Sequence, residues 1–265
     1  MIKLIASDLD DTLLNSNFQI SKKDKNTIKK LKEKGIYFTI ATGRVTKSVE
    51  KFAKELDVEI PYIAFNGAKI VDPKTHNVIF SREIEKSRIA KIIEYSERKG
   101  IHCNIYTDEK VLVKEETHWS EFYKTFAQEF PIEAVGSLQD YTFDSTPKVI
   151  MIGEQERLKE AYDDIIKFRH KDINIFFSKA NFLEFTDIKA TKGDALKYIA
   201  EKLNIKREET AAIGDSFNDQ SMIEFAGVSA VVKNGRDELK KIADYISYSN
   251  DDSGFSDFVK KYVLQ

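Results

Sequence analysis

Asp8-Leu9-Asp10-Asp11-Thr12 follows the apolar run Ile2 to Ala6, with Ser7 between them. In extended backbone, residues two apart point to one side, so Asp8 and Asp10 would reach one ligand while Leu9 turns away. Two carboxylates at the tip of a buried strand make a poor core and a good reaction centre. Three more polar clusters have the same setting: Ala41-Thr42-Gly43-Arg44, Thr191-Lys192-Gly193 and Gly214-Asp215-Ser216-Phe217-Asn218-Asp219. Each falls where a strand is expected to end or a helix to begin. Ligands of an open parallel sheet bind at the carboxyl ends of its strands, so clusters far apart in sequence can converge there.

The elements that would position them read from periodicity. Ser21-Lys22-Lys23-Asp24 has the pattern of a capping box, and the helix after it turns Ile28 and Leu31 inward before Gly35. Ile36 to Ala41 is a second strand, and Tyr62 to Phe65 a third. Between them Val49, Phe52, Ala53 and Leu56 form one helical stripe. Lys69 to Phe80 reads as a hairpin around Asp72-Pro73-Lys74-Thr75. From Glu83 to Asp187 the order is helix, two strands, helix, strand, helix, two strands, which suggests an antiparallel sheet with helices. The first pattern resumes with a helix carrying Ala195, Leu196, Ile199 and Leu203. Strands Thr210 to Gly214 and Val228 to Val232 follow, and helices close the chain. Strands alternating with helices indicate a parallel sheet covered on both faces. The expected organisation is an α/β core, residues 1–82 and 188–265, split by an α+β insert, residues 83–187.

Composition narrows the function classes. The 265 residues are 42% hydrophobic, enough for a core with an insert. A net charge of −2 lacks the basic excess of a nucleic-acid protein. No apolar run approaches the roughly 18 residues of a membrane helix. Cys103 is the only cysteine, which fits a reducing compartment, and the first strand begins too near Met1 to leave room for a leader. A cytoplasmic protein is expected.

The four motifs in order, with an insert between the second and third, resemble the haloacid dehalogenase superfamily, most closely the Cof-type phosphatases. The resemblance implies a Rossmann-like core with a parallel sheet and an inserted cap that sets substrate specificity. It implies a magnesium-dependent phosphatase of small phosphorylated metabolites: sugar phosphates, or nucleotide or cofactor phosphates. By this resemblance Asp8 attacks phosphorus, and Asp10 protonates the leaving alcohol and then activates water. Asp8, Asp215 and the backbone carbonyl of Asp10 would hold Mg2+, with Asp219 orienting that shell from behind. Thr42, the amides of Leu9 and Gly43, Lys192 and Asn218 would hold phosphate, Asn218 alternatively holding Lys192. The chemistry suits the residue types, because phosphoryl transfer depends on positioning and charge stabilisation. A carboxylate nucleophile is repelled by a phosphate dianion unless a cation lies between them.

Asp11 stands where many members of that family have glycine. Aspartate tolerates the left-handed conformation at some cost, and its carboxylate is expected to face away from phosphate. Asn66-Gly67 reads either as a hairpin turn or as a pair beside the site, and Arg44 as pointing to substrate or to solvent. Trp119, Phe122, Tyr123, Phe126 and Phe130 have the spacing of a packed helical stripe. The four histidines lack metal-ligand spacing. Two alternatives use the same residues: a phosphomutase of the same superfamily, phosphomannomutase-like, and a non-enzymatic phosphate-ester-binding protein.

Overall fold

The first unit is built on strand Leu4–Ser7, in which every residue is buried. A strand buried on both faces has no polar alternation, and this is why Ile2 to Ala6 reads as a plain apolar run. The computed structural model describes residues 1–125, 130–141, 144–168 and 171–264. It divides into two units, Met1–Phe80 with Ala190–Gln265, and Ser81–Lys189.

In the first unit Leu4–Ser7 is an interior strand, one in from the edge, of a five-stranded parallel sheet. On one side lies Tyr37–Ile40; on the other lie Thr210–Gly214, Val228–Val232 and Tyr245–Ser247 in turn. The chain therefore leaves Leu4–Ser7 in one direction and reaches its other neighbour only after the insert. That reversal of strand order opens a crevice at the carboxyl ends of Leu4–Ser7 and Thr210–Gly214. One sheet face packs on Ala195, Leu196 and Ile199 of helix Lys192–Lys202 and on Met222 and Ile223. On the other face Phe255 of helix Gly254–Tyr262 meets the edge of Phe38 at 5.6 Å.

The local signals act as expected at most positions. Ser21 caps helix Lys22–Glu33 by accepting the Asp24 N–H. The Asp24 carboxylate completes no box; it is buried and receives the N–H and hydroxyl of Ser256. Asp72 builds the hairpin turn by accepting the N–H groups of Lys74 and Thr75.

Between its second and third helices the second unit has Ile132–Ala134, Ser145–Thr146 and Val149–Ile152 where one strand is expected, and two elements of the first unit also differ from the sequence reading. Strand Tyr62–Ala64 stops short of Phe65 and heads a separate three-stranded sheet with Lys69–Val71 and Val78–Ser81. It touches the parallel sheet through one bridge, Ala41 to Ile63. The chain end is not wholly helical, because Tyr245–Ser247 adds an edge strand whose three residues are too few to show a period.

The second unit holds a six-stranded sheet in the order Ile173–Lys179, Phe182–Asp187, Val149–Ile152, His102–Tyr106, Val111–Val113, Ile132–Ala134. Pairing is antiparallel except between the last two strands, which run parallel. Cys103, Ile105, Val149, Met151, Leu183 and Phe185 form one face under helices Lys86–Lys99 and Gln155–Phe168. The aromatic stripe packs within this unit. The Tyr123 and Tyr106 hydroxyls share a hydrogen bond, Phe122 meets Phe182, and Phe130 stacks on Tyr106. Trp119 contacts Phe122, and Phe126 lies outside the described residues.

The site-bearing helix Lys192–Lys202 depends on two close backbone approaches. A Cβ on Gly193 would lie 2.3 Å from the Ser221 carbonyl oxygen, and one on Gly67 would lie 2.1 Å from that of Thr191. Gly67 also has φ +101°, a conformation side chains resist. Replacing Gly193→Ala must displace backbone. It is expected to destabilise the protein by about 1–3 kcal/mol in chemical denaturation and to lower turnover in the fraction that stays folded.

Candidate active site

Strand Leu4–Ser7 ends before Asp8, so Asp8, Leu9 and Asp10 occupy the loop beyond it. The same-side expectation for extended backbone therefore does not apply. Three N–H groups, those of Thr12, Leu13 and Leu14, turn back onto the Leu9 carbonyl and close the loop. Asp11 absorbs the turn with φ 57° and is exposed, as an outward-facing carboxylate requires. Asp8 itself is buried, and its N–H still joins the ladder to Ile213.

Lys192 is the centre of the site. It is the first residue of its helix, after the Thr191 cap, and is fully buried. The helix dipole disfavours a cation there. The ammonium is held instead by Asp8 Oδ1 at 2.6 Å and Asp219 Oδ1 at 2.5 Å. The other oxygen of Asp219 accepts the N–H groups of Asp215 and Ser216, at 2.9 and 3.0 Å. Asp219 thus braces both Lys192 and the loop that carries Asp215. The Asp215 carboxylate accepts the Thr12 hydroxyl at 3.0 Å.

Asp8, Asp215 and Asp219 each present an oxygen within 4.8 Å of the others. Three carboxylates here share one ammonium, so positive charge is short. Burial, and then Asp219 and Asp8 acting against it, leaves the Lys192 ammonium held more firmly than an ordinary lysine. Burial pushes the Asp8 carboxyl well above the usual carboxylate range; Lys192 pulls it down, and Asp219, Asp215 and Asp10 push it further up. Burial likewise raises Asp215 to about 7, with Asp219 adding to the shift and Lys192 and the Thr12 hydroxyl opposing it. One divalent cation would neutralise the remaining two charges. An all-oxygen donor set suits a hard ion such as magnesium, calcium or manganese. No metal-binding group of this kind other than these three residues occurs among the described residues.

The remaining expected residues divide. Thr42 is fully buried beyond strand Tyr37–Ile40, its hydroxyl oxygen accepting the Arg44 N–H at 3.2 Å. Gly43 lies so close to Asn66 that a Cβ would sit 2.8 Å from the Asn66 amide oxygen. Asn218 bonds that same oxygen at 3.0 Å, and this is its partner rather than Lys192. Asp10 points its carboxylate at Arg44, outside the three-carboxylate group. Sequence reasoning placed Thr12 in the first polar cluster without giving it a role, and left Asn66 and Arg44 open. The signal for Asn66 was its pairing with Gly67. Phe65, Asn66 and Gly67 take φ values of 50°, 56° and 101°, a tight turn that places Asn66 against Gly43 and Asn218.

A model of the haloacid dehalogenase-like hydrolases matches residues 5–259. The chain belongs to this family. Among its relatives, the Bacillus subtilis 5-amino-6-(5-phospho-D-ribitylamino)uracil phosphatase YwtE is 31% identical, with 99% of this chain and 98% of the relative covered. Phosphatase YwpJ of Bacillus subtilis is 29% identical, with 98% and 99% covered. A haloacid dehalogenase-like hydrolase from Bacteroides thetaiotaomicron matches with a TM-score of 0.88 at 27% identity, over 98% and 99% of the two chains. A protein of Thermotoga maritima matches with a TM-score of 0.89 at 29% identity, over 100% and 99%. Haloacid dehalogenase-like membership fixes a hydrolase with an α/β fold, and its relatives carry the name phosphatase. No helix among the described residues is long and apolar enough to cross a membrane.

The charge deficit sets a pH dependence. A carboxyl raised in the folded state stabilises the fold below its unfolded pKa of ~4, and that contribution is lost as pH rises through about 7. A bound divalent cation replaces the proton and restores it. The rise in melting temperature on adding magnesium to metal-free protein is therefore expected to be larger at pH 7.5 than at pH 5.5. Calorimetry should show proton release on binding near neutrality.

Proposed function

We propose that this haloacid dehalogenase-like hydrolase is a magnesium-dependent phosphatase of small phosphomonoesters, acting through an aspartyl-phosphate on Asp8. The observation that carries this reading is the buried Lys192 ammonium clamped between Asp8 and Asp219, with Asp215 beside them at the strand-order reversal. Asp8, Asp215 and the backbone carbonyl of Asp10 would hold the cation, and Asp219 would brace them. When bound, magnesium would lower the repulsion between the Asp8 carboxylate and the phosphate dianion.

An Asp8 oxygen attacks phosphorus as the bond from phosphorus to the leaving oxygen breaks, and Asp10 supplies that oxygen with a proton. Water then attacks phosphorus, Asp10 takes the proton back, and the Asp8 carboxylate is regenerated with release of inorganic phosphate. Lys192 fixes the position of Asp8 and adds positive charge opposite the transferring group. The Thr42 hydroxyl, the Leu9 and Gly43 amides and Asn218 supply donors to phosphate oxygens. Asn218 reaches that place through Asn66, which holds its amide.

Substrates are small phosphorylated metabolites, either sugar phosphates or nucleotide or cofactor phosphates, in line with the ribitylamino-uracil phosphate in the name of one relative. The insert would select the leaving group. The setting we propose is the cytoplasm, where the single, buried Cys103 stays reduced.

The test is phosphate release across a panel of phosphomonoesters with and without magnesium. Asp8→Asn is expected to lose turnover on every substrate by more than about a thousandfold, and chelation should abolish turnover in the unaltered enzyme. Retention of most activity by Asp8→Asn would remove the nucleophile assignment.

A further inference from the structure

We propose that Arg44 is a positioning residue for Asp10, setting the plane and direction of the carboxylate that serves the leaving group. The proposal rests on the acid–base reading of Asp10 above. The Arg44 guanidinium grips Asp10 as a fork: Nε donates to Oδ2 at 2.8 Å and Nη2 to Oδ1 at 2.6 Å. Two parallel bonds fix the plane of a carboxylate, which a single bond leaves free to turn.

Arg44 is itself held at both ends. Its backbone N–H donates to the Thr42 hydroxyl oxygen, and its carbonyl accepts the Phe65 N–H at 2.9 Å. Its guanidinium lies over the Phe52 ring, 5.1 Å from the centroid. Thr42 and Phe65 belong to the segments that deliver the phosphate donors and Asn66. The fork therefore ties the Asp10 loop to the same frame that holds phosphate.

Stability alone does not explain this geometry. The Arg44 and Asp10 side chains are 24% and 43% exposed, and ion pairs so open to water contribute about 0–1 kcal/mol. Asp10 lies beyond the strand and next to the left-handed Asp11, so its backbone constrains its side chain weakly. An error of ~1 Å in the placement of a proton donor costs up to ~100-fold in rate.

Hydrogen-bond capacity adds a chemical detail. When Asp10 carries the proton, its hydroxyl oxygen still accepts, though more weakly than a carboxylate oxygen, so the fork loosens without opening. Donation to the leaving oxygen, as the phosphorus–oxygen bond breaks, returns the carboxylate that the fork fits.

Leaving-group dependence separates this role from a structural one. The magnesium-loaded enzyme and its Arg44→Ala and Arg44→Lys variants would be compared on 4-nitrophenyl phosphate, whose phenolate departs with little need of a proton. The second substrate is whichever of glucose 6-phosphate, ribose 5-phosphate and glycerol 3-phosphate the unaltered enzyme turns over fastest. Arg44→Ala is expected to lower kcat on the alkyl ester by about tenfold or more, with a several-fold smaller loss on the aryl ester and little change in KM. Arg44→Lys keeps the charge without the fork and should resemble Arg44→Ala. Adding Arg44→Ala to Asp10→Asn should cost nothing further on the alkyl ester. Equal losses on both esters, a loss confined to KM, or full rescue by lysine would overturn the proposal. If Asp8→Asn remains active, the phosphatase mechanism itself fails, which is a separate result.

Discussion

The buried Lys192 ammonium between Asp8 and Asp219 is the interaction on which the first unit depends. A lysine with no exposed surface at a helix start is unfavourable twice, through lost hydration and through the helix dipole. Two carboxylates offset both. They come from loops following two neighbouring strands, so the ammonium joins three segments, around residues 8, 192 and 219. Removing Lys192 would leave Asp8 and Asp219 facing each other inside the protein without a counter-charge. The close packing of Gly193 on Ser221 and of Gly67 on Thr191 lets the helix start reach that position.

The same cluster carries its tension into function. Asp8, Asp215 and Asp219 outnumber the single ammonium, and burial raises Asp8 and Asp215. A site that holds excess negative charge in a poorly hydrated place favours a cation, and a cation in turn makes room for an anionic substrate. Asp219, with both oxygens occupied by N–H donors, acts as the frame. In the proposed mechanism Asp8 and Asp215 are the members that would meet the cation. Arg44 and Asp10 form a second, more open pair whose charges balance each other.

The insert follows a different logic. Its sheet is mostly antiparallel, with one face under two helices and aromatic packing from helix His118–Lys124 on the other. It keeps a buried ion pair, Lys148 with Glu184 at 3.3 Å, the lysine also lying over the Tyr106 ring. None of these residues repeats the spacing of the four motifs. The chemistry of the family therefore reads from the first unit, and the choice of substrate does not.

The sequence by itself determined the parallel core, the order of the four motifs and the residue types of the site. Thr210–Gly214 and Val228–Val232 read clearly because fully buried strands are apolar throughout. The helix cap at Ser21 read clearly because capping is local. Tertiary structure decided what depends on pairing across distance. Tyr245–Ser247 is a strand only because Val228–Val232 lies beside it. Thr12, a plain threonine after three acidic or apolar residues, becomes a partner of Asp215 only when residues 203 apart meet. Arg44 had two open readings until its fork closed on Asp10, and Asn66 became more than a turn residue when Asn218 reached its amide oxygen. Local preference is written in neighbouring residues, whereas a side chain's partner is set by where the whole chain brings it.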